Sequence, residues 1–268
     1  MLKLRGLLCA VGGILMGAAL PFLRAEPAEA MGLLGQVIVA ERAFHQLVPR
    51  HPWLAPHRDA MLWGALAGEL LRLSGPSTMA ERKLDSLAVR DAMLAQARQG
   101  GPAARAFVCG WLSHLESDAE SDAWVSREGR LGRLAEAVGL PENRLGRAHV
   151  DLALDAVLLP AASQKLRLMA EAARRHAGTP SGAPVVALLR QTLGVDDAQH
   201  QQLAALAFAL GSVGPDRYKR EVAHLHGLDP YLDALTGASA RASLSPATVL
   251  LTDASLRAAQ RIRLLGGL

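Results

Sequence analysis

The residues best suited to chemistry in this 268-residue chain lie on one stretch, residues 106–125. Here His114, Asp118 and Asp122 follow one another at intervals of four residues. In an α-helix each such step turns only about 40° around the axis, so the three side chains form a ladder along one side. An imidazole and two carboxylates at this spacing supply neighbouring nitrogen and oxygen ligands for a divalent metal ion. The alternative is a helix whose acidic end faces water, because Glu116 also lies here.

The same stretch carries apolar residues at helical spacing, and these overlap the ladder. Phe107, Trp111 and Leu115 predict a helix that packs against a core, and His114 lies between the last two. Polar side chains that face a core must be hydrogen-bonded, ion-paired or metal-bound, because isolated buried polar groups are expensive. Cys109 belongs to the same apolar run, and we expect it to be a small buried hydrophobe.

The composition predicts an all-α, multi-helix bundle. Half of the residues are hydrophobic and only 4% are aromatic, and the apolar residues are mostly Ala and Leu, which favours helices. Turns that contain Gly and Pro separate the periodic segments, and no sustained strand-like alternation occurs. We expect one domain over residues 31–268. Its predicted helices cover residues 31–48, 57–73, 79–98, 106–125, 131–138, 142–159, 160–178, 184–193, 196–210, 215–225 and 245–265.

The first thirty residues are set apart from this domain. Lys3 and Arg5 precede an apolar run over residues 6–23, which is followed by the small-residue pattern Ala28-x-Ala30. This is the layout of a secretory signal peptide, and an uncleaved membrane anchor is the alternative because the run is slightly long. We therefore expect a periplasmic or secreted protein, or one anchored to a membrane by its N-terminus.

The charge of the chain argues against one class of partner. The formal net charge is only +4, and positive and negative residues are interspersed. No cluster of Lys and Arg with interleaved aromatic residues occurs, so the chain lacks the footprint of a nucleic-acid-binding protein.

Four predicted helices place a ligand-type side chain on a packing face. Four such helices together suggest one shared polar centre between them. In contrast, Asp151 and Asp155 flank the apolar face of their helix, and we expect them in water. His224 and His226 have a spacing that could bind a metal ion, but we expect them to form a surface pair. The side chains of the suggested centre are Gln36, Glu69, His114 with Asp118 and Asp122, and His149.

Three segments in order resemble the zinc-dependent phospholipase C family. They are residues 31–43, 62–69 and 106–118, and the Gly-Trp-Leu-Ser-His-x-x-x-Asp pattern of the third is the most specific. The resemblance covers roughly residues 31–160. The family includes glycosylphosphatidylinositol-specific phospholipase D, is related to fungal single-strand nucleases, and has an all-α bundle around a multi-zinc cluster. The resemblance implies an exported metal-dependent phosphodiesterase that acts on phospholipid or a related phosphate ester, with the membrane surface as a partner and zinc activating the attacking water.

The resemblance also implies a set of metal ligands, and this set is incomplete. Gln36 stands where the family has a His, and the later His-x-x-x-Glu element pairs either His149 with Ala153 or Arg147 with Asp151. The chain would then bind fewer zinc ions than the family, with Mn or Mg as competitors. The alternative is a catalytically inactive descendant that keeps the bundle for binding or structure. The implied ligands are Glu69, His114, Asp118, Asp122 and His149 or Asp151.

Overall fold

The computed structural model describes residues 31–74, 86–176, 182–245 and 247–266. These residues form thirteen α-helices joined by turns and short 3₁₀ segments, and no β-strand occurs among them. The predicted all-α bundle is therefore confirmed. The predicted signal peptide or anchor over residues 1–30 lies outside the described residues.

The helices are numbered here in chain order. They are α1 (Leu33–Leu47), α2 (Arg58–Ser74), α3 (Leu87–Gln99), α4 (Gly101–Ser126), α5 (Arg130–Val138), α6 (Arg147–Ala162), α7 (Lys165–His176), α8 (Ala183–Leu193), α9 (Asp197–Gly211), α10 (Pro215–Leu225), α11 (Leu232–Thr236), α12 (Ala238–Ser243) and α13 (Ala247–Leu264). No helix in the described ranges is both long enough and apolar enough to cross a membrane.

Most predicted helix ends agree with the structure to within two residues, but the starts of α3, α4 and α7 and both ends of α6 do not. The prediction started this helix at residue 142, whereas Glu142–Arg144 is a 3₁₀ turn and α6 begins at Arg147. Pro160 was expected to start a new helix, yet it lies inside the last turn of α6. Near a helix end, a proline removes only one backbone hydrogen bond and packing can outweigh that loss. The short helices α11 and α12 were not predicted, because each spans less than two turns.

Helix α4 lies at the centre of the bundle and packs against α1, α2, α3 and α13. Its contact with α2 is unusually close. A Cβ atom on Gly64 would lie 1.9 Å from the carbonyl oxygen of Phe107, and one on Gly110 would lie 1.8 Å from that of Met61. Bare backbone on both helices therefore lets them approach. Cys109, beside this contact, is fully buried, as predicted, and burial raises the pKa of its thiol to about 12.

The N-terminus of α1 is held by a residue of another helix. Gly32 supplies no side-chain cap, but Asp155 of α6 accepts hydrogen bonds from the backbone N–H groups of Leu34 (3.3 Å) and Gly35 (3.2 Å). The Tyr218 hydroxyl of α10 donates to the same carboxylate at 2.5 Å. The prediction that Asp155 faces water is therefore wrong, because α1 and α10 both pack on α6 and bury it.

Candidate functional site

Glu69, His114 and Asp118 meet between α2 and α4, around a side chain that the sequence patterns did not single out. Their polar atoms surround one nitrogen, Arg72 Nη1. Glu69 Oε2 lies 3.2 Å from it, His114 Nε2 lies 3.3 Å from it, and Asp118 Oδ2 lies 3.5 Å from it. The predicted shared polar centre is thus present as a cluster, and a guanidinium group lies at its middle.

A second guanidinium group reaches the same two carboxylates from α6. Arg147 Nη2 lies 2.6 Å from Asp118 Oδ2 and 3.3 Å from Glu69 Oε2. Each of these two carboxylate oxygens therefore contacts both guanidinium groups. We refer to Glu69, Arg72, His114, Asp118 and Arg147 as the arginine centre.

Gln36 of α1 contacts the arginine centre through the other oxygen of Asp118. Its side-chain amide donates to Asp118 Oδ1 at 2.7 Å and to the backbone carbonyl of Met31 at 3.2 Å. Its carbonyl oxygen accepts a hydrogen bond from Ser117 Oγ at 2.5 Å. Gln36 therefore acts as a hydrogen-bonding support for Asp118, and the centre links α1, α2, α4 and α6.

The imidazole of His114 packs against Gly68 of α2, where there is no side chain. A Cβ atom on Gly68 would lie 2.6 Å from His114 Nε2, so bare backbone at this position makes room for the ring. The neighbouring Ser113 points elsewhere, since its hydroxyl donates to the carbonyl of Gly110 at 2.7 Å. These two residues do not form a hydroxyl–imidazole nucleophile pair.

The arginines decide the charge of the buried carboxylates. Burial opposes the ionisation of Glu69, but Arg147 and Arg72 outweigh burial and hold its pKa below the ordinary value. For Asp118, burial is likewise outweighed, here by His114, Arg147 and Arg72, and its pKa is also lowered. Arg147 is opposed by burial, but Asp118, Glu69 and Asp151 raise its pKa well above the usual value. Two buried carboxylates and two guanidinium groups therefore neutralise one another at neutral pH.

Asp151 lies beside the arginine centre as a buried acid. Its Oδ2 atom is 3.6 Å from Arg147 Nε, and among the residues that the structure describes neither of its carboxyl oxygens has a hydrogen-bond partner. Burial and the nearby Glu69 raise its pKa far above the ordinary value, although Arg147 acts in the opposite direction. The prediction that Asp151 is solvated is wrong, because it is only 2% exposed between α6 and the centre.

His149 and Asp122 lie at the edge of this group. His149 is half-buried, accepts a hydrogen bond from the Gly146 N–H at 3.2 Å through Nδ1, and packs its ring against Tyr231. Burial lowers the pKa of His149. Asp122 lies one turn beyond Asp118 on α4 and is half-buried.

His226 is a neighbour of the centre that the sequence did not indicate. Burial lowers its pKa, the charge of Glu69 raises it, and Arg147 lowers it. The predicted surface pair is therefore correct for His224, which is exposed beside Asp229, and wrong for His226, which is half-buried. A histidine directly after a helix end has no periodicity that would show which way it faces.

The ligand-type residues do not fit a metal ion while the arginines are in place. Within the described ranges, no three His, Cys, Asp or Glu side chains are arranged to hold one. Zinc requires ligand distances of about 2.0–2.2 Å. The nearest candidates instead lie 3.2–3.5 Å from an arginine nitrogen, which is hydrogen-bond geometry.

Comparison with known proteins adds no further assignment. No family model, no curated protein and no solved structure matches this chain. The resemblance to zinc-dependent phospholipase C therefore stays a prediction from the three sequence segments. The residues that sequence reasoning left without a role are Arg72 and Arg147. Arg72 follows Glu69 by three residues and Arg147 precedes Asp151 by four, spacings typical of an ordinary surface ion pair, and Arg147 otherwise appeared only at the His position of one register of the family element.

Proposed function

We propose that this chain is a non-catalytic helical domain, a descendant of the zinc-dependent phospholipase C type that keeps the bundle for binding or structure. Export, as predicted from residues 1–30, is part of the proposal. The observation that carries it is the pair of guanidinium groups bridged by Glu69 and Asp118. Arg147 Nη2 lies 2.6 Å from Asp118 Oδ2, and Arg72 Nη1 lies within hydrogen-bonding reach of both carboxylates.

The chemistry of guanidinium supports this proposal. Metal-assisted hydrolysis requires a Lewis acid that binds water and lowers its pKa. An arginine side chain is a permanent cation with no acceptor atom, so it cannot coordinate water in this way. The carboxylates are also poor general bases, since the arginines lower the pKa values of both Glu69 and Asp118.

The same contacts give the centre a structural role. Glu69, Asp118 and Arg147 come from three helices, and Gln36 adds a fourth. In some proteins buried ion pairs specify how their elements pack, and removing one partner leaves an uncompensated buried charge. The arginine centre therefore stabilises one arrangement of α1, α2, α4 and α6 against alternatives.

The competing proposal is an active metal-dependent phosphodiesterase that acts on phospholipid. The observation that favours it is the convergence of His114, Asp118 and Glu69, three residues of ligand type, on one point. It requires a divalent cation to displace Arg72 from that point and Arg147 from the shared carboxylates.

Metal analysis combined with activity assays separates the two proposals. The purified full chain is incubated with Zn²⁺, Mn²⁺ or Mg²⁺, desalted, and analysed for bound metal, and is then assayed on phosphatidylcholine vesicles and on single-stranded nucleic acid. We expect no stoichiometric metal and no hydrolysis above that of His114→Ala. Stoichiometric metal together with hydrolysis that disappears in His114→Ala would overturn the non-catalytic proposal.

A further inference from the structure

We propose that a cavity between α8 and α9 is a binding site for a small neutral molecule that carries a carbonyl oxygen on a short aliphatic chain. The cavity is separate from the arginine centre, and the inference does not depend on whether that centre is catalytic. The observation that carries it is a buried hydrogen-bond donor. His200 lines the cavity, and its Nδ1 nitrogen has no hydrogen-bond partner among the described residues.

The cavity has an apolar wall and a polar inner end. Its volume is about 350 Å³, which is within the range of small-molecule sites. Helix α8 contributes three apolar residues to its lining, Ala183, Val186 and Ala187. These three are exposed or half-buried, whereas His200 of α9 is only 1% exposed and forms the inner end. An aliphatic chain can therefore lie against α8 while a polar group of the same molecule reaches the imidazole.

Trp63 of α2 determines which nitrogen of His200 carries the proton. The indole Nε1–H of Trp63 donates to His200 Nε2 at 3.1 Å. Because an indole nitrogen can only donate, Nε2 must accept, and the ring is neutral with its proton on Nδ1. Burial also lowers the pKa of His200, although Asp197 acts in the opposite direction, so the neutral ring is favoured. Nδ1 is therefore a hydrogen-bond donor at neutral pH.

This donor favours a neutral acceptor. A buried N–H group without an acceptor is costly, and an oxygen atom of a bound molecule would remove that cost. The ring cannot take a second proton to pair with an anion unless it loses the hydrogen bond from Trp63. The mouth of the cavity adds no net charge, because Arg190 Nη2 lies 2.5 Å from Asp197 Oδ1 and both side chains are more than half exposed. A carbonyl group therefore fits better than a carboxylate or an ammonium group.

The binding preference is measured by NMR on the full chain labelled with ¹⁵N at histidine. Three probes share one aliphatic chain and differ in charge: pentanamide, pentanoate and pentylamine. We expect pentanamide to shift the Nδ1 signal of His200 and to bind about 10-fold or more tightly than either charged probe. Tighter binding of pentanoate that is lost in Arg190→Ala would overturn the assignment to a neutral ligand.

Two substitutions of His200 separate the roles of its two nitrogens. His200→Gln places an amide oxygen near the position of Nε2, where Trp63 still finds an acceptor, but it removes the Nδ1 donor. Binding of pentanamide should weaken about 10-fold or more in this variant. His200→Asn keeps an N–H group near the position of Nδ1 and should retain binding, although it loses the hydrogen bond from Trp63.

A third variant blocks the cavity and leaves His200 unchanged. Ala187→Leu adds a larger side chain at the apolar wall and should abolish binding of pentanamide. Loss of binding in His200→Gln and in Ala187→Leu, with binding retained in His200→Asn, supports the site. Equal binding by all three variants, or no response of the His200 signal in the native protein, would mean that water alone satisfies Nδ1 and would overturn the inference. Neither result affects the metal and hydrolysis assays of the proposed function.

Discussion

Arg147 Nη2 lies 2.6 Å from Asp118 Oδ2, so the acid of the predicted metal ladder is bound by a guanidinium group from a different helix. The two residues are 29 positions apart in sequence, and both are largely shielded from solvent. This single contact joins α4 to α6 and provides Asp118 with a positive partner. It also makes the energetic role of the arginine centre directly measurable.

Removal of Arg147 is expected to destabilise the protein strongly. Arg147→Ala leaves the buried Asp118 and Glu69 without one of the two guanidinium groups that bind them, which should lower the free energy of unfolding by about 3–5 kcal/mol. Chemical denaturation followed by circular dichroism measures the loss.

A double-mutant cycle shows whether this loss arises from the Arg147–Asp118 pair itself. Arg147→Met combined with Asp118→Asn removes both charges and should cost clearly less than the sum of the single changes. The matched control is Arg217→Ala, which breaks an exposed pair with Glu221 and should cost at most about 0.5 kcal/mol. An equal loss in Arg147→Ala and in this control would show that the centre contributes no special stability.

Asp155 is expected to be essential for the position of α1. Asp155→Ala leaves the N–H groups of Leu34 and Gly35 without their acceptor and should lower the free energy of unfolding by roughly 2–3 kcal/mol. Tyr218→Phe removes only one of the three hydrogen bonds and should cost about half as much. Gly32→Ala tests the same contact sterically, because its Cβ would lie 2.5 Å from Asp155 Cγ. Unchanged stability in all three variants would contradict this role.

Asp155 also predicts a pH dependence of stability. Burial raises its pKa from 3.8 to about 6, against the hydrogen bonds from Tyr218 and the backbone. The native state therefore holds this proton more tightly, and the stabilisation is complete below pH 3.8 and is lost as the pH rises toward 6. At about 1.4 kcal/mol for each pH unit between the two values, the loss is roughly 3 kcal/mol. Between pH 4 and 6, the free energy of unfolding of Asp155→Asn should change less with pH than that of the native protein. A profile that matches the native one would exclude Asp155 as the source.

From the pKa of His176 we predict the opposite pH dependence of the free energy of unfolding, over a similar pH range. Burial lowers its pKa from 6.5 to about 4, with Asp59 acting against this and His200 adding to it. The native state binds this proton less well, so stability is complete above pH 6.5 and falls as the pH drops toward 4. His176→Gln should remove this part of the acid sensitivity, whereas the exposed His224→Gln should leave it intact. Equal acid profiles for the two variants would argue against a role for His176.

The contact between α2 and α4 should tolerate no side chain at its closest points. Gly110→Ala places a Cβ atom 1.8 Å from the Met61 carbonyl oxygen and should force the helices apart, at a cost of about 3 kcal/mol or more. Gly139→Ala, at an open turn where no atom lies within 4 Å of the added Cβ, provides a comparison dominated by backbone strain at φ 71°. A smaller loss for Gly110→Ala than for Gly139→Ala would contradict the close contact.

The fold was predictable from sequence because helix periodicity is a local signal. Phe107, Trp111 and Leu115 indicate a packed helix wherever its partners lie, and Asp196 caps α9 at the position where the pattern placed its start. The chemistry of the centre was not predictable in the same way. Glu69, His114 and Asp118 could be recognised on single helices, but their neutralisation by Arg72 and Arg147 depends on how α2, α4 and α6 pack.

The predictions of solvent exposure that were wrong also depended on how the helices pack. Asp151 and Asp155 lie at the flank of the apolar stripe of α6, which is solvated in a helix that packs on one side only. Because α1 and α10 both cover α6, that flank becomes interior. His226 belongs to a chain segment after α10 whose direction no local pattern specifies.

The alkylation rate of the Cys109 thiol reports how often α2 separates from α4. A thiol reacts as its thiolate, and burial at this interface raises its pKa to about 12, so the closed form is inert to alkylating reagents at neutral pH. Modification must therefore wait until the glycine-lined contact opens. In a Cys9→Ser background, the rate of alkylation counts these openings directly, and it should rise in any variant that weakens the arginine centre.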